Sequence, residues 1–152
     1  MNRKTTLTIG IAAVWLAVLG GLAISAQDKY TVKVLGGLGF SEFKGYEGWQ
    51  TISVSHNGPV LAGILGNPAM IAACKAGIPG NGQPFPDGAK MAKVHWRPET
   101  AETFPGQPLV PDTQHDVDFM VKVSNRFADS GGWGYAVFKY DAATDAFTPG
   151  DS

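Results

Sequence analysis

The sequence predicts an α+β fold, built mainly on an antiparallel sheet of about five strands with one or two short helices. Three observations support this prediction. The 20 Gly and 10 Pro among 152 residues indicate a chain rich in turns. Several stretches alternate apolar and polar residues, as half-buried strands do, whereas one stretch shows clear helical spacing. With 44% hydrophobic residues, the chain has enough apolar side chains for one domain with a core of its own.

The first 26 residues have the features of an export signal. Asn2-Arg3-Lys4 is a short positive region, Leu7 to Ile24 is almost wholly apolar, and small residues precede Gln27. We expect residues 1–26 to be a signal peptide, with an uncleaved membrane anchor as the alternative. Either would send the folded part across a membrane, in a bacterium to the periplasm. Cys74 is the only cysteine in the chain, so no intrachain disulfide can form.

The charge of the chain excludes a strongly basic, nucleic-acid-binding surface. The formal net charge is −1. Without residues 1–26, which hold two basic residues and no acid, 10 basic residues stand against 13 acidic ones, a net charge of −3. No nucleic-acid partner is therefore expected.

The next segment is expected to be a linker, residues 27–40, leading into a domain at 41–152. The linker contains a weakly alternating stretch, Tyr30 to Val34, that could form a short strand, followed by a glycine-rich run. Ser41 to Trp49 is typical of a short helical turn that carries aromatic side chains into the core. A hairpin then follows, with strands at 49–55 and 60–65 and a turn at His56-Asn57-Gly58.

One helix is expected to begin at Asn67-Pro68, with Asn as the N-cap and Pro in the first turn, and to end near Gly77. Its apolar stripe at helical spacing consists of Met70, Ile71, Cys74 and Ile78. Cys74 is therefore interpreted as a buried small apolar residue rather than a reactive thiol or a metal ligand.

The strand at 89–96 has an unusual lysine in its middle. A loop of Gly and Pro precedes it and ends in a tight Asp87-Gly88 turn. Alternation places Lys90, Ala92, Val94 and Trp96 on one face, and Met91, Lys93 and His95 on the other.

Two further strands are predicted beyond this one, at 116–123 and 133–140. A Pro-rich loop without regular period is expected at 98–112. In the strand at 116–123 one face is wholly valine and phenylalanine, and the other carries Asp116, Asp118, Met120 and Lys122. A glycine-rich turn separates the two strands.

The familiar catalytic and metal motifs are missing from the sequence. The three histidines, His56, His95 and His115, are scattered without metal-ligand spacing. His56 in a turn and His115 in a loop are expected to be solvated, whereas His95 is a weak site candidate because it shares a face with Lys93. No Gly-x-Ser-x-Gly elbow marks a nucleophilic serine, and no carboxylate pair points to glycoside hydrolysis.

Lys93 and Asp118 remain as candidates for chemistry. Burial beside apolar groups disfavours a charged ammonium, which would leave the amine of Lys93 available as a nucleophile. Asp118 could serve as a positioned base. The alternative is that both are solvent-facing charges of half-exposed strands, so the residues alone predict only an exported α+β domain.

The order and spacing of several blocks resemble the cytochrome P460 family, over roughly 41–149. The blocks are Phe85-Pro86-Asp87-Gly88, Lys93-Val94, Asp112-Thr113, Asp116-Val117-Asp118-Phe119, Ser124-Asn125-Arg126-Phe127 and Gly131-Gly132-Trp133-Gly134-Tyr135. The resemblance implies a mainly antiparallel β domain, similar to the β-type cytochromes c′, that holds one haem c and is usually a homodimer. It implies oxidation of hydroxylamine and nitric oxide chemistry in the periplasm, with an electron-acceptor cytochrome as a partner.

The resemblance also implies roles for the two candidates. Lys93 matches the lysine that the family cross-links to the haem macrocycle, with Lys90 as the fallback. Asp118 matches the carboxylate near the iron, with Asp116 as the second choice. The catalytic residue is therefore expected to be Asp118 and the cofactor-binding residue Lys93.

Two departures from the family pattern stand out. The Cys-x-x-Cys-His motif that attaches haem and supplies the axial histidine does not occur in the sequence. We expect a chain that is C-terminally incomplete, rather than a domain that has discarded its haem. No arginine occurs in 58–66, where studied members carry a distal one, which puts efficient hydroxylamine oxidation in question. The competing functional hypotheses are an exported, non-catalytic module that binds a gas or a small apolar ligand without covalent haem, and a remnant without function.

Overall fold

Six strands, each hydrogen-bonded to the next along the chain, form one antiparallel sheet in the computed structural model, which describes residues 27–151. The strands are β1 (Gln50–Asn57), β2 (Val60–Gly66), β3 (Lys90–Thr100), β4 (Leu109–Lys122), β5 (Trp133–Asp141) and β6 (Ala146–Pro149). The mainly antiparallel sheet is confirmed, but the expected count of about five strands is one too low. The missed strand, β6, is only four residues long and is defined by its pairing with β5 and by the burial of Phe147.

The predicted helix is confirmed as α1 (Pro68–Lys75), with the Asn67 side chain accepting a hydrogen bond from the amide of Met70. Short 3-10 helices lie at Lys29–Thr31, Phe40–Phe43, Tyr46–Gly48 and Ala128–Ser130. The expectation of a buried Cys74 was wrong. Met70 and Ala73 are the residues of α1 that are buried, and Cys74 is exposed.

The Pro-rich segment at 98–112 is not a loop, as the sequence suggested, but continues two strands. β3 extends to Thr100 and β4 starts at Leu109, with Pro98 opposite Pro111 and Glu99 opposite Val110. The register shifts between Trp96 and Pro98, where a residue without an amide hydrogen cannot complete a regular ladder. The connecting loop is therefore confined to residues 101–108.

The expected linker at 27–40 packs into the core instead. Tyr30 lies in a 3-10 helix rather than in a strand, and Lys33 forms an isolated bridge with Gly39. Gly37 adopts a φ of +77°, which lets the chain turn back on itself. The turn buries four apolar residues, Val32, Val34, Leu38 and Phe40.

The core lies on one face of the sheet, beneath the N-terminal segment. Phe40, Phe43 and Tyr46 pack there against Phe119, with the Phe43 and Phe119 rings stacked at a centroid distance of 4.2 Å. The strands contribute the buried residues Ala92, Val94, Val117, Phe119, Val121, Ala136 and Phe138. The residues that alternate with these in β2–β5 project from the opposite side of the sheet, called here the open face.

Within residues 27–151, no helix has the length and apolar character needed to cross a membrane. The expected signal peptide or anchor at 1–26 lies outside the described residues.

Candidate functional site

Lys93 and Asp118 lie directly opposite each other on β3 and β4. Both project from the open face because their neighbours Ala92, Val94 and Val117 point into the core. In the outer strands, Ile64 of β2 pairs with Lys93 and Val137 of β5 pairs with Asp118. The sheet therefore sets one amine and one carboxylate side by side between apolar residues.

The two side chains line a hollow of about 160 Å³. Its other walls are Ile64, Met91, Phe119, Met120 and Tyr135. Within residues 27–151, no hydrogen bond or ion pair engages the amine of Lys93. The hollow is smaller than the 300–1,000 Å³ typical of pockets that enclose a drug-sized ligand. It can hold a small molecule, or form part of the wall against which a larger group lies.

The carboxyl group of Asp118 has a pKa above its usual value. Partial burial raises the pKa of Asp118, and the charge of Asp116 raises it further, whereas His95 and Lys93 act in the opposite direction. The side chain is still 42% exposed, so solvent reaches it. A half-buried carboxylate with a raised pKa is suited to accept and release a proton.

Lys90, the fallback for Lys93, points to the other side of the sheet. Its amine donates a hydrogen bond to the carbonyl of Glu42 at 2.5 Å and lies 5.8 Å from the centre of the Phe43 ring. These contacts tie the N-terminal segment to β3. Of the two lysines, only Lys93 lines the hollow.

Asp116, the second choice for Asp118, belongs to a group of side chains that sequence reasoning missed. The Nδ1 atom of His95 is hydrogen-bonded to Asp116 and lies 4.0 Å from the Oδ2 atom of Asp118. The Nδ1 atom of His115 lies 2.6 Å from the Oδ2 atom of Asp116. His115 was expected in a loop but is a residue of β4. If the length of the β3–β4 hairpin had been known, the pairing of His95 with Asp116 would have revealed this group of side chains.

A larger cleft of about 450 Å³ lies beside α1 and the ends of β1 and β2. It is lined by Gly48, Trp49, Gln50, Gly66, Pro68, Ile71, Ala72 and Lys75. Lys75 is the one titratable residue among these lining residues, so the cleft lacks the paired groups of acid–base chemistry. The hollow at Lys93 and Asp118 is the better candidate despite its smaller volume.

Comparison with known proteins agrees with the blocks seen in the sequence. The family model for cytochrome P460 matches residues 43–151, which is more than two thirds of the chain. No curated protein matched the chain. The matched range includes Lys93, Asp118 and all six strands. The chain therefore belongs to the cytochrome P460 family, and this membership implies a haem cofactor.

Proposed function

We propose that this protein is a P460-type c-haem domain that oxidises hydroxylamine or converts nitric oxide in the periplasm. The observation that carries the proposal is the pairing of Lys93 with Asp118 at an apolar hollow on the open face. Family membership supports the haem. The homodimer and the electron-acceptor cytochrome belong to the same proposal and follow from the family resemblance.

The residues on the open face suit a haem. Among residues 27–151, none forms a hydrogen bond or an ion pair with the amine of Lys93. This amine is the nucleophile that a covalent link to a macrocycle needs. Ile64, Met91 and Met120 offer apolar side chains around it. These residues would hold one side of the macrocycle and exclude water from it. When bound, the haem would supply the redox chemistry, since no side chain here can take up electrons in succession.

Asp118 would accept protons that the reaction releases. Oxidation of hydroxylamine releases protons together with electrons, and a nearby base speeds the release. The Oδ2 atom of Asp118 would accept a proton from the bound substrate, and its burial, which raises its pKa, favours that transfer. Ile64 stands opposite Lys93 on β2, so that position offers no second hydrogen-bond donor to the substrate.

The first experiment asks whether the chain retains haem, because its 152 residues contain no Cys-x-x-Cys-His motif. The protein is expressed in a bacterium that matures c-type cytochromes, and its absorbance is recorded. Mass spectrometry of the tryptic peptides then locates any haem adduct. We expect a red-shifted haem band and an adduct on Lys93.

The matched control is Lys90→Met beside Lys93→Met. The proposal predicts that Lys93→Met removes the adduct and the red shift, while Lys90→Met keeps both. Haem that binds with a spectrum indifferent to Lys93→Met would refute the assigned role of Lys93. A chain that takes up no haem at all would refute haem binding by these 152 residues.

The second candidate function is an exported module that binds a gas or a small apolar ligand without covalent haem. The small volume and apolar lining of the hollow favour it. Extraction with acidified butanone separates the two candidates. Haem that stays with the protein supports the first candidate, and haem that is fully removed supports the second.

A further inference from the structure

We propose that His95, Asp116 and Asp118 form a binding site for a divalent transition-metal ion, with Zn²⁺ as the probe. One ligand atom from each of these residues lies within 4.8 Å of the other two. All three side chains are partly buried on the open face, on adjacent strands of the sheet. This proposal does not rest on the haem function.

The direction of the His95 ring supports a shared ligand. Its Nδ1 atom faces both carboxylates, touching Asp116 and lying 4.0 Å from Asp118. One nitrogen and two oxygens thus converge on a common point from two neighbouring strands. An imidazole with two carboxylates is a donor set for Zn²⁺, Co²⁺ or Mn²⁺, because the nitrogen favours transition metals over Ca²⁺ and Mg²⁺.

A break in the strand ladder brings a fourth side chain to the cluster. His95 pairs with Asp116, but the next residue, Trp96, pairs with Gln114, so β4 has His115 as an extra residue at this point. Such a bulge redirects side chains, and the ring of His115 reaches the Oδ2 atom of Asp116 at 2.6 Å. His115 can thereby hold the outer oxygen of a ligating carboxylate, as the supporting residues of metal sites do.

The electrostatic environment of the cluster favours the binding of a cation. Asp116 and Asp118 contribute two negative charges. Lys93 faces Asp118 across the ladder, and Lys139 faces Asp116. The amine of Lys139 lies 3.9 Å from Asp151, which draws it to the periphery of the sheet. Lys93 is therefore the main competitor for the cation, and its removal should strengthen metal binding.

Three protein ligands would leave at least one coordination position free. A metal ion of this kind can bind water or a small ligand directly, as catalytic zinc sites do. A cation held by Asp118 would also prevent that carboxylate from accepting a proton. The metal-bound and proton-accepting forms of the open face are therefore mutually exclusive states.

The test titrates the purified chain, freed of metal by a chelator, with Zn²⁺ in a calorimeter. Co²⁺ absorbance then reports the ligands. We expect one ion per chain, with affinity reduced at least about tenfold in each of His95→Gln, Asp116→Asn and Asp118→Asn. His115→Gln should weaken binding less than the ligand variants, and Lys93→Met should tighten it. His56→Gln and Asp112→Asn replace exposed residues of the same types outside the cluster and should bind as the unaltered chain does.

Far-UV circular dichroism of each variant shows whether it is folded. The ligand substitutions are nearly isosteric, so we expect the sheet to form in each of them. Absence of a one-to-one site in the folded, unaltered chain would overturn the proposal. So would binding that the three ligand substitutions leave unchanged, which would mean that Asp116 only orients two imidazoles. A folded, haem-free chain without a metal site refutes this proposal alone, and a metal site in a chain that takes up no haem counts only against the proposed function.

Discussion

Lys90 and Lys93, three residues apart in β3, have opposite surroundings because alternation along the strand sends them to opposite faces. The amine of Lys90 is bonded to the Glu42 carbonyl near the Phe43 ring, whereas Lys93 lines the hollow. A charged side chain held in such contacts contributes to stability. One that lines a functional hollow does not need to.

Substitution of each lysine by methionine should separate these roles. Lys90→Met leaves the Glu42 carbonyl without its donor, which should lower the free energy of unfolding by about 1–3 kcal/mol. Lys93→Met should change it by less than about 0.5 kcal/mol, because no described contact is lost. Urea unfolding of the two haem-free variants measures the difference. Equal losses would contradict the division of roles.

The Asp118 carboxylate, which the proposed function needs, should lower the free energy of unfolding at neutral pH. Burial raises its pKa in the folded chain, so folding favours the protonated carboxyl. The contribution of the group to stability is complete below the pKa of the unfolded chain, about 3.9, and is lost as the pH rises through the higher folded value.

Asp118→Asn should therefore stabilise the metal-free, haem-free protein at pH 7. The gain should be a few tenths to about 1 kcal/mol, since the half-exposed group is screened by solvent. The gain should vanish near pH 3, where the aspartate is protonated in both states. Urea unfolding at the two pH values tests this, with the exposed Asp112→Asn in the same strand as the control. A loss of stability at pH 7 would show that the electrostatic attraction of His95 and Lys93 for the Asp118 carboxylate outweighs the cost of its burial.

At the scale of the elements, two blocks of the family pattern, 124–127 and 131–135, meet in space. An added Cβ at Gly134 in β5 would lie only 2.3–2.8 Å from three atoms of the Phe127 ring. The ring thus packs on the backbone of β5 at a point where no side chain fits. The contact gives a packing reason for the co-occurrence of Phe127 and Gly134 in the blocks.

Gly134→Ala should accordingly lower the free energy of unfolding by about 1–3 kcal/mol through overpacking. Gly36→Ala is the control, because nothing lies within 4 Å of an added Cβ there. Phe127→Leu combined with Gly134→Ala should recover part of the loss, since the two positions are in contact. Equal unfolding midpoints for Gly134→Ala and Gly36→Ala would refute the packing argument.

The elements that the sequence predicted well are those with one buried and one open face. Alternation located the main parts of β1 to β5 and placed Lys93 and Asp118 on their correct sides. Alternation did not predict the proline-containing ends of β3 and β4. Proline usually indicates a loop, but here it lies in strands whose hydrogen-bond ladder is irregular. Alternation also did not predict the cluster around His95. A cross-strand pair depends on register, and the register at 95–116 includes a bulge that no local pattern contains.

At the scale of the whole molecule, the domain is larger than the family match. The match begins at residue 43, yet the core includes residues between 32 and 40. Phe40 is fully buried, and its ring lies within 6.1 Å, centroid to centroid, of five other aromatic rings. The glycine-rich composition suggested a linker here, because composition does not show that Gly37 forms a turn with buried residues on both sides of it. Without this segment, the parts of the Phe119 and Phe138 rings that pack against Phe40 would face water.

The last prediction follows from this packing. Phe40→Ala should cost about 3–5 kcal/mol, a large part of the 5–15 kcal/mol that holds a typical domain folded. A chain that begins at residue 43 loses Phe40 together with Val32, Val34 and Leu38, and should not unfold cooperatively. Thermal unfolding followed by near-UV circular dichroism measures both, with Leu35→Ser as the control because Leu35 is fully exposed at the turn. A cooperative transition at an unchanged midpoint in the chain that begins at residue 43 would show that the sheet is stable without this cover.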